Sequence, residues 1–209
     1  GPLDEDRWTV EAQAGVNGQH LEDWLNARGY TLGHSPSSIW CSTVGGWAAA
    51  RSAGQFSSKY GVFEDMVLQL RVVSPGAGIF TVGEGGDAAP DLLALLLGSE
   101  GTLGVITRVR MRVWPLPSVR RLRGYRFPDV ASSVAAMRAL MQEELWPAAV
   151  RMYDPVDTRI GGKTKPKKDH GDHRAFYKDW LEAVERIPGL KRHALTLPLG
   201  LPRVVNRVF

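Results

Sequence analysis

The chain has 209 residues and a net charge of +4, with 44% hydrophobic and 23% charged residues. That balance is ordinary for one or two globular domains. It contains no apolar run long enough to span a bilayer, and its single cysteine, Cys41, excludes an internal disulfide or a cysteine metal cluster.

From the N-terminus, Gly1–Asp6 lack the basic start and apolar core of a secretion signal. With the lone thiol, this accords with a reducing, cytoplasmic setting. Residues 8–14 alternate, with Trp8, Val10 and Ala12 on one side and Thr9, Glu11 and Gln13 on the other, which predicts a half-buried strand. Asn17 is placed to cap a helix carrying Leu21, Trp24, Leu25 and Arg28, which Gly29 ends. Residues 33–46 read as loop, followed by a short helix from Trp47 towards Gly54. His34 precedes this loop and is suited to orient it through a hydrogen bond, and Cys41 within it reads as a small buried thiol. Met66–Val73 and Ile79–Val82 are strands joined by the turn Ser74–Gly78, and Asp91–Leu97 is a leucine-rich helix closed by Gly98.

Residues 104–114 give the clearest strand. Val105, Thr107, Val109, Met111 and Val113 are expected to face a core, and Ile106, Arg108, Arg110, Arg112 and Trp114 the other side. Pro115–Pro117 marks a boundary. Beyond it come a strand near Leu122–Phe127 and a helix capped by Asp129 with Val130, Val134, Met137 and Met141 at helical spacing. A strand near Ala149–Tyr153 follows, and a further amphipathic helix carries Phe176, Trp180, Leu181, Val184 and Ile187. Residues 155–209 hold twelve Lys/Arg against six Asp/Glu. The basic run Lys163–Lys168 has no interleaved aromatics to stack on bases, so it reads as a solvated loop and no nucleic-acid partner is expected. Asp169–His173 places two histidines and two carboxylates together, but without a further ligand cluster no metal is expected. No closing element is expected before Phe209.

Three glycine-rich places could carry chemistry: Thr43–Gly46 at a helix start, Ala53–Gly54 with Tyr60–Gly61, and Gly98–Gly104. Glycines let a ligand approach the backbone, and free amides at a helix start favour an anion such as a pyrophosphate. Any one of them alone reads equally as a turn. A P-loop and a Rossmann fingerprint are both absent.

The order and wording of these stretches resemble the FAD-binding domain of the vanillyl-alcohol oxidase superfamily, also called the PCMH type. The likeness runs from TVEAQAGVNGQHLEDWLNARGYTLGHSPSS through STVGGWAAARSAGQFSSKYGVFEDMVLQLRVVSPG to LLLGSEGTLGVITRVRMRVWPLP, about residues 8–117. Within the superfamily, GHSPSS, STVGGWAAARSAG and YGVFED are most similar to the alkylglycerone-phosphate synthases. The resemblance implies an α+β fold: residues 1–117 as the second subdomain of the FAD-binding domain, and residues 118–209 as the start of a substrate (cap) domain with a basic loop near 161–174. It also implies FAD as cofactor. Contacts carried over are Ser37, Ser38, Ile39, Ser42 and Thr43; Gly45 and Gly46; Ala49, Ala50, Arg51 and Ser52; and Glu100, Gly101, Thr102, Leu103, Gly104, Val105 and Ile106. Arg151 is implied near an anionic group of the substrate, which a guanidinium fork suits; a salt bridge to Asp154 is the alternative.

The activity implied is exchange of the acyl group of acyl-dihydroxyacetone phosphate for a fatty alcohol, without net redox change. The substrate would be small or lipid-like, with room for a homodimer and for peripheral contact with a membrane. A related FAD-linked oxidase or dehydrogenase of a 2-hydroxy acid such as D-lactate or glycolate is the second reading. A non-catalytic phosphate- or nucleic-acid-binding fragment is the third. The family's first subdomain and its catalytic tyrosine and histidines have no counterpart here, so the chain is expected to be the middle of a longer protein, and its acid/base residues remain unassigned.

Overall fold

A computed structural model of the chain describes residues 2–84, 91–120, 123–154 and 204–208. The chain divides into two compact units, Gly1–Ser118 and Val119–Phe209. The basic run, Asp169–His173 and the helix expected over 176–187 lie outside the described residues.

The first unit is built on a five-stranded antiparallel sheet. Its members are β1 (Leu3–Asp4), β2 (Thr9–Gln13), β4 (Val67–Ser74), β5 (Gly78–Gly83) and β6 (Val105–Arg112), in the order β1-β2-β6-β4-β5. A small pair, β3 (Tyr30–Thr31) with β7 (Trp114–Pro115), ties the end of the first helix to the end of β6. Alternation puts Val10, Ala12, Leu70, Val72, Val109 and Met111 on one face. They are buried with Leu21 and Leu25 of α1 (Gly18–Asn26), Val44, Trp47 and Ala48 of α2 (Val44–Ala49), and Phe63 and Met66 of α4 (Phe63–Met66). The single turns α3 (Ser57–Tyr60) and α4 were not expected; they are too short to show a helical period.

Three expectations are corrected in this unit. Trp8 is not in β2: it adopts φ 53° in the preceding turn and is exposed, while Thr9 is buried. α2 starts at Val44, three residues before Trp47, because the Thr43 hydroxyl accepts from the Gly46 amide and caps it there. Two helix glycines are tolerated because a Cβ on Gly45 would lie 2.5 Å from the Ala14 Cβ. The sidedness of β6 reverses near its start. Arg71 pairs with Arg108 but Val72 with Ile106, so Thr107 is an extra residue in β6. Val105 therefore emerges on the solvent face, 65% exposed, while Ile106 packs against the core.

The second unit carries β8 (Arg123–Phe127), α6 (Val130–Gln142), β9 (Val150–Tyr153) and β10 (Val204–Val208). The sheet order is β8-β10-β9, with both pairings antiparallel. β10 corrects the expectation of no closing element, since it is the central strand. Asp129 caps α6 by accepting from the Ser132 amide at 2.7 Å. The buried face of α6 is Ser133, Ala136 and Leu140 with Phe127, and not the Val130, Val134, Met141 stripe, which is exposed. Small residues at 133 and 136 leave little bulk between helix and neighbour. The larger stripe lies about a quarter-turn away.

Candidate cofactor site

α2 is the element on which the three glycine-rich places converge. At its start, Asn17 and Thr43 form an isolated antiparallel bridge. The Val44 amide donates to the Val16 carbonyl at 3.0 Å, that of Gly45 to Ala14 at 2.8 Å, and that of Gly46 to the Thr43 hydroxyl at 3.3 Å. These donors are spent inside the chain. The expectation that free amides at this helix start receive a pyrophosphate is thereby corrected. The 14–17 turn stands where an anion would have been.

The far end of α2 meets the third glycine-rich stretch, Gly98–Gly104. The helix α5 (Leu92–Leu96), capped by Asp91, ends at Gly98 with φ 77°. The Gly98 amide donates to the Ala48 carbonyl at 3.0 Å and the Glu100 amide to Ala49 at 3.1 Å. Arg51, itself at φ 47°, reaches across: its Nε donates to Leu97 O at 3.0 Å, and its Nη2 to Ala94 O at 2.7 Å. Nε also lies 3.2 Å from Glu64. Arg51 thus satisfies carbonyls at the end of α5, where a cation is favourable. The resemblance implied a ligand contact for it; within the chain it clamps the start of the loop.

Within the loop, the Thr102 amide and hydroxyl both donate to Ser99 O, at 2.9 and 2.6 Å. Glu100 (φ 49°) and Gly101 (φ 82°) are left-handed, and a Cβ on Gly101 would meet nothing within 4 Å. Gly104 is the opposite case, since a Cβ there would lie 2.8 Å from Val72 Cγ1 and Val73 O. One glycine faces open space and the other lies tight against β4. The Ala14 amide donates to Thr107 O at 2.9 Å, so the start of β6 is joined through Ala14 to the start of α2.

The 37–43 segment is a compact turn. The Ser42 hydroxyl donates to Ser38 O at 2.8 Å and accepts from Trp47 Nε1 at 2.8 Å. The Asn17 amide group donates to Trp40 O. Ser37 and Ser38 are exposed, while Ile39 is buried, its amide donating to Pro36 O and its carbonyl accepting from the Gln19 amide, both at 3.1 Å. Cys41 is exposed, which corrects the reading of a buried thiol. Trp40 is 73% exposed; its signal, an aromatic amid small polar residues, was there in the sequence and went unused.

Beneath this surface His34 is buried, with Nε2 3.1 Å from the Ser52 hydroxyl and its ring against Trp47 and Phe63 at centroid distances of 4.7 and 5.0 Å. Its hydrogen bond falls on Ser52, three residues past α2, and not on the loop it was expected to orient. Burial pushes its pKa down to about 4, so the imidazole is neutral. Its Nδ1 is buried and has no hydrogen-bond partner among the described residues.

Segments 43–46, 49–52 and 98–107 therefore form one connected surface. Its rim carries exposed Leu103 and Val105, and its floor includes the open backbone at Gly101. Such a surface accepts a flat ring laid on a peptide backbone. It therefore fits a ring-bearing cofactor such as FAD better than an isolated anion. Arg151, in the second unit, is exposed on β9.

Residues 2–83 match the family described as FAD binding domain, and residues 116–191 match FAD linked oxidases, C-terminal domain. The 98–106 loop falls between the two matched segments. Alkyldihydroxyacetonephosphate synthase of Caenorhabditis elegans is 38% identical over 169 residues, covering 80% of this chain and 28% of that protein. A solved structure of alkyldihydroxyacetonephosphate synthase superposes with a TM-score of 0.75 at 32% identity, covering 99% of this chain and 35% of that one. The mitochondrial D-lactate dehydrogenase [cytochrome] of Arabidopsis thaliana is 29% identical over 155 residues, covering 72% of this chain and 27% of that protein. The chain thus spans between 27% and 35% of the length of these relatives.

Proposed function

We propose that this chain belongs to the FAD-linked oxidases and supplies one wall of the FAD site and the start of the substrate domain in a larger enzyme of alkyldihydroxyacetonephosphate synthase type. The cofactor of such a domain is FAD. The observation that supports the reading is the junction of the end of α2 with the 98–106 loop, where the Gly98 and Glu100 amides donate to the Ala48 and Ala49 carbonyls. Ser37, Ser38, Ser42 and Thr43 would border the cofactor on one side, Gly46, Ala49, Ala50 and Ser52 would line its middle, and Glu100–Ile106 its other side. Ile39 and Gly45, also implied as contacts, are buried. Gly101 lets the cofactor approach, and Leu103 and Val105 offer apolar contact. Arg51 holds the loop rather than the ligand.

Bound FAD would supply an isoalloxazine able to carry the exchanging fragment. Replacement of the acyl group of acyl-dihydroxyacetone phosphate by a fatty alcohol needs no net electron transfer. Arg151 would bind the substrate's phosphate through a bidentate fork. The synthase reading is favoured over the 2-hydroxy acid reading by the relatives, at 38% and 32% identity against 29%. A lipid-like substrate would bring a cytoplasmic protein to a membrane surface as a peripheral visitor, and no helix among the described residues is long and apolar enough to cross one.

The test is the visible spectrum of the intact purified protein, followed by anaerobic incubation with substrate. Flavin absorption is expected. With acyl-dihydroxyacetone phosphate and hexadecanol, an ether product should form while the flavin ends the reaction oxidised. A colourless protein that takes up no FAD overturns the cofactor placement. Bleaching by D-lactate or glycolate, with no ether product, overturns the synthase reading in favour of the dehydrogenase.

A further inference from the structure

The outer face of the five-stranded sheet carries a pair of arginines that the flavin surface does not use. Arg71 on β4 and Arg108 on β6 are register partners, flanked by Gln13 on β2 and Thr81 on β5. Like charges directly opposite each other across a sheet are destabilising. Arg108 relieves its part through Glu11, with Nη1 2.7 Å from Oε1. Arg71 makes no ion pair with any of the described residues, and its side chain is exposed. Val73 on β4 is paired with Ile79 on β5, and both are exposed, so an apolar pair borders the two arginines. Between them lies an open groove of about 500 Å³ lined by Arg71, Arg108, Gln13, Val73, Ile79 and Ile106, among others. It continues along the sheet past Glu11, Thr81 and Arg110.

We propose that this groove is an anion site for a phosphate group borne on an apolar body, with Arg71 as its principal ligand and Arg108 shared between the anion and Glu11. A phosphate between the two guanidiniums would offset the cross-strand repulsion and take up fork donors that no described carboxylate engages on Arg71. Gln13 can add an amide donor. The apolar pair would cover the non-polar remainder of the ligand. The volume is within the range of small-molecule sites, and the mixture of a few polar groups with apolar walls is their usual composition. A carboxylate ladder elsewhere on the face, Glu11 and Glu84 with Arg108 and Arg110, competes for the cations and sets the affinity.

The inference does not depend on the flavin reading, and the experiment keeps the two apart. The intact, FAD-saturated protein is titrated by calorimetry with inorganic phosphate and with octyl phosphate, and its flavin absorbance is read in parallel. Octyl phosphate should bind, with affinity reduced about tenfold or more in Arg71→Gln and raised in Glu11→Gln, which frees Arg108. Flavin content should not change in either variant. Tighter binding of octyl than of inorganic phosphate assigns the groove to a lipid-like phosphate, and equal affinity assigns it to free phosphate. Binding of neither, or binding unmoved by both variants, overturns the proposal. Should Arg71→Gln not fold, the opposite-signed effect of Glu11→Gln still decides it.

Discussion

Two glycines three residues apart in the same loop have different duties. Gly101 is left-handed with open space where a Cβ would point; Gly104 is packed against β4. A Gly101→Val substitution should cost the loop about 1–2 kcal/mol of backbone strain and push a branched side chain into the proposed ligand space. The expected result is a folded protein with reduced flavin-to-protein ratio after gel filtration. Stoichiometric flavin in that variant would remove Gly101 from the site. Gly104→Ala should instead destabilise the fold by about 1–3 kcal/mol through overlap with the Val73 carbonyl, seen in the thermal midpoint of the flavin-free protein. His34 adds a pH dependence. Burial lowers its pKa from 6.5 to about 4, so between these values the unfolded chain binds the proton and the folded chain does not. Stability is then full above about pH 6.5 and declines as pH falls to about 4, by about 3 kcal/mol in all. His34→Gln should flatten that part of the denaturant midpoint against pH; a slope equal to the parent's would show that another group is responsible.

At the level of elements, what the sequence revealed was existence and type, and what it hid was sidedness. β2, α1, β4, β5, α5 and β6 could all be read from period, cap and turn residues, because each follows its local rule. The outward turn of Val105 could not, since it depends on an extra residue at Thr107 that matters only when β4 is alongside. The same holds for α6, where Ser133 and Ala136 outcompete the larger Val130 and Val134 for the buried face. Nor could the filled start of α2 be anticipated, because the partners of its amides, Ala14 and Val16, come from a turn some thirty residues earlier. That turn depends on Asn17, whose side chain accepts from the Gln19 and His20 amides at 3.0 and 3.2 Å and donates to Trp40 O at 2.8 Å. Asn17→Ala should lose about 1–2 kcal/mol, read as a shift in urea midpoint. Because the Trp40 tie is lost too, it should also loosen the 37–43 turn, and amide exchange at Cys41 and Ser42 should quicken. A midpoint shift without faster exchange there would confine Asn17 to its capping role.

For the whole molecule, the division of labour between the two units makes Arg151 the sharpest test. The first unit holds every residue implied as a cofactor contact, whereas Arg151 lies on β9 of the second, opposite Arg207 of β10 in register. Its side chain is exposed on an edge strand, and β9 is held by backbone pairing with β10. Truncation should therefore leave folding intact. If Arg151 binds the substrate's phosphate, its loss removes a charge-assisted contact worth about 1.5–3 kcal/mol, or roughly a tenfold or greater rise in KM for the phosphate-bearing substrate. The KM for the fatty alcohol, which has no anionic group, should change little. Arg151→Lys should recover only part of the loss, because an ammonium keeps the charge but not the fork. Flavin content and thermal midpoint are expected to match the parent in both variants. The opposite pattern, flavin lost with KM unchanged, would move Arg151 out of the substrate site and make the second unit a contributor to cofactor retention.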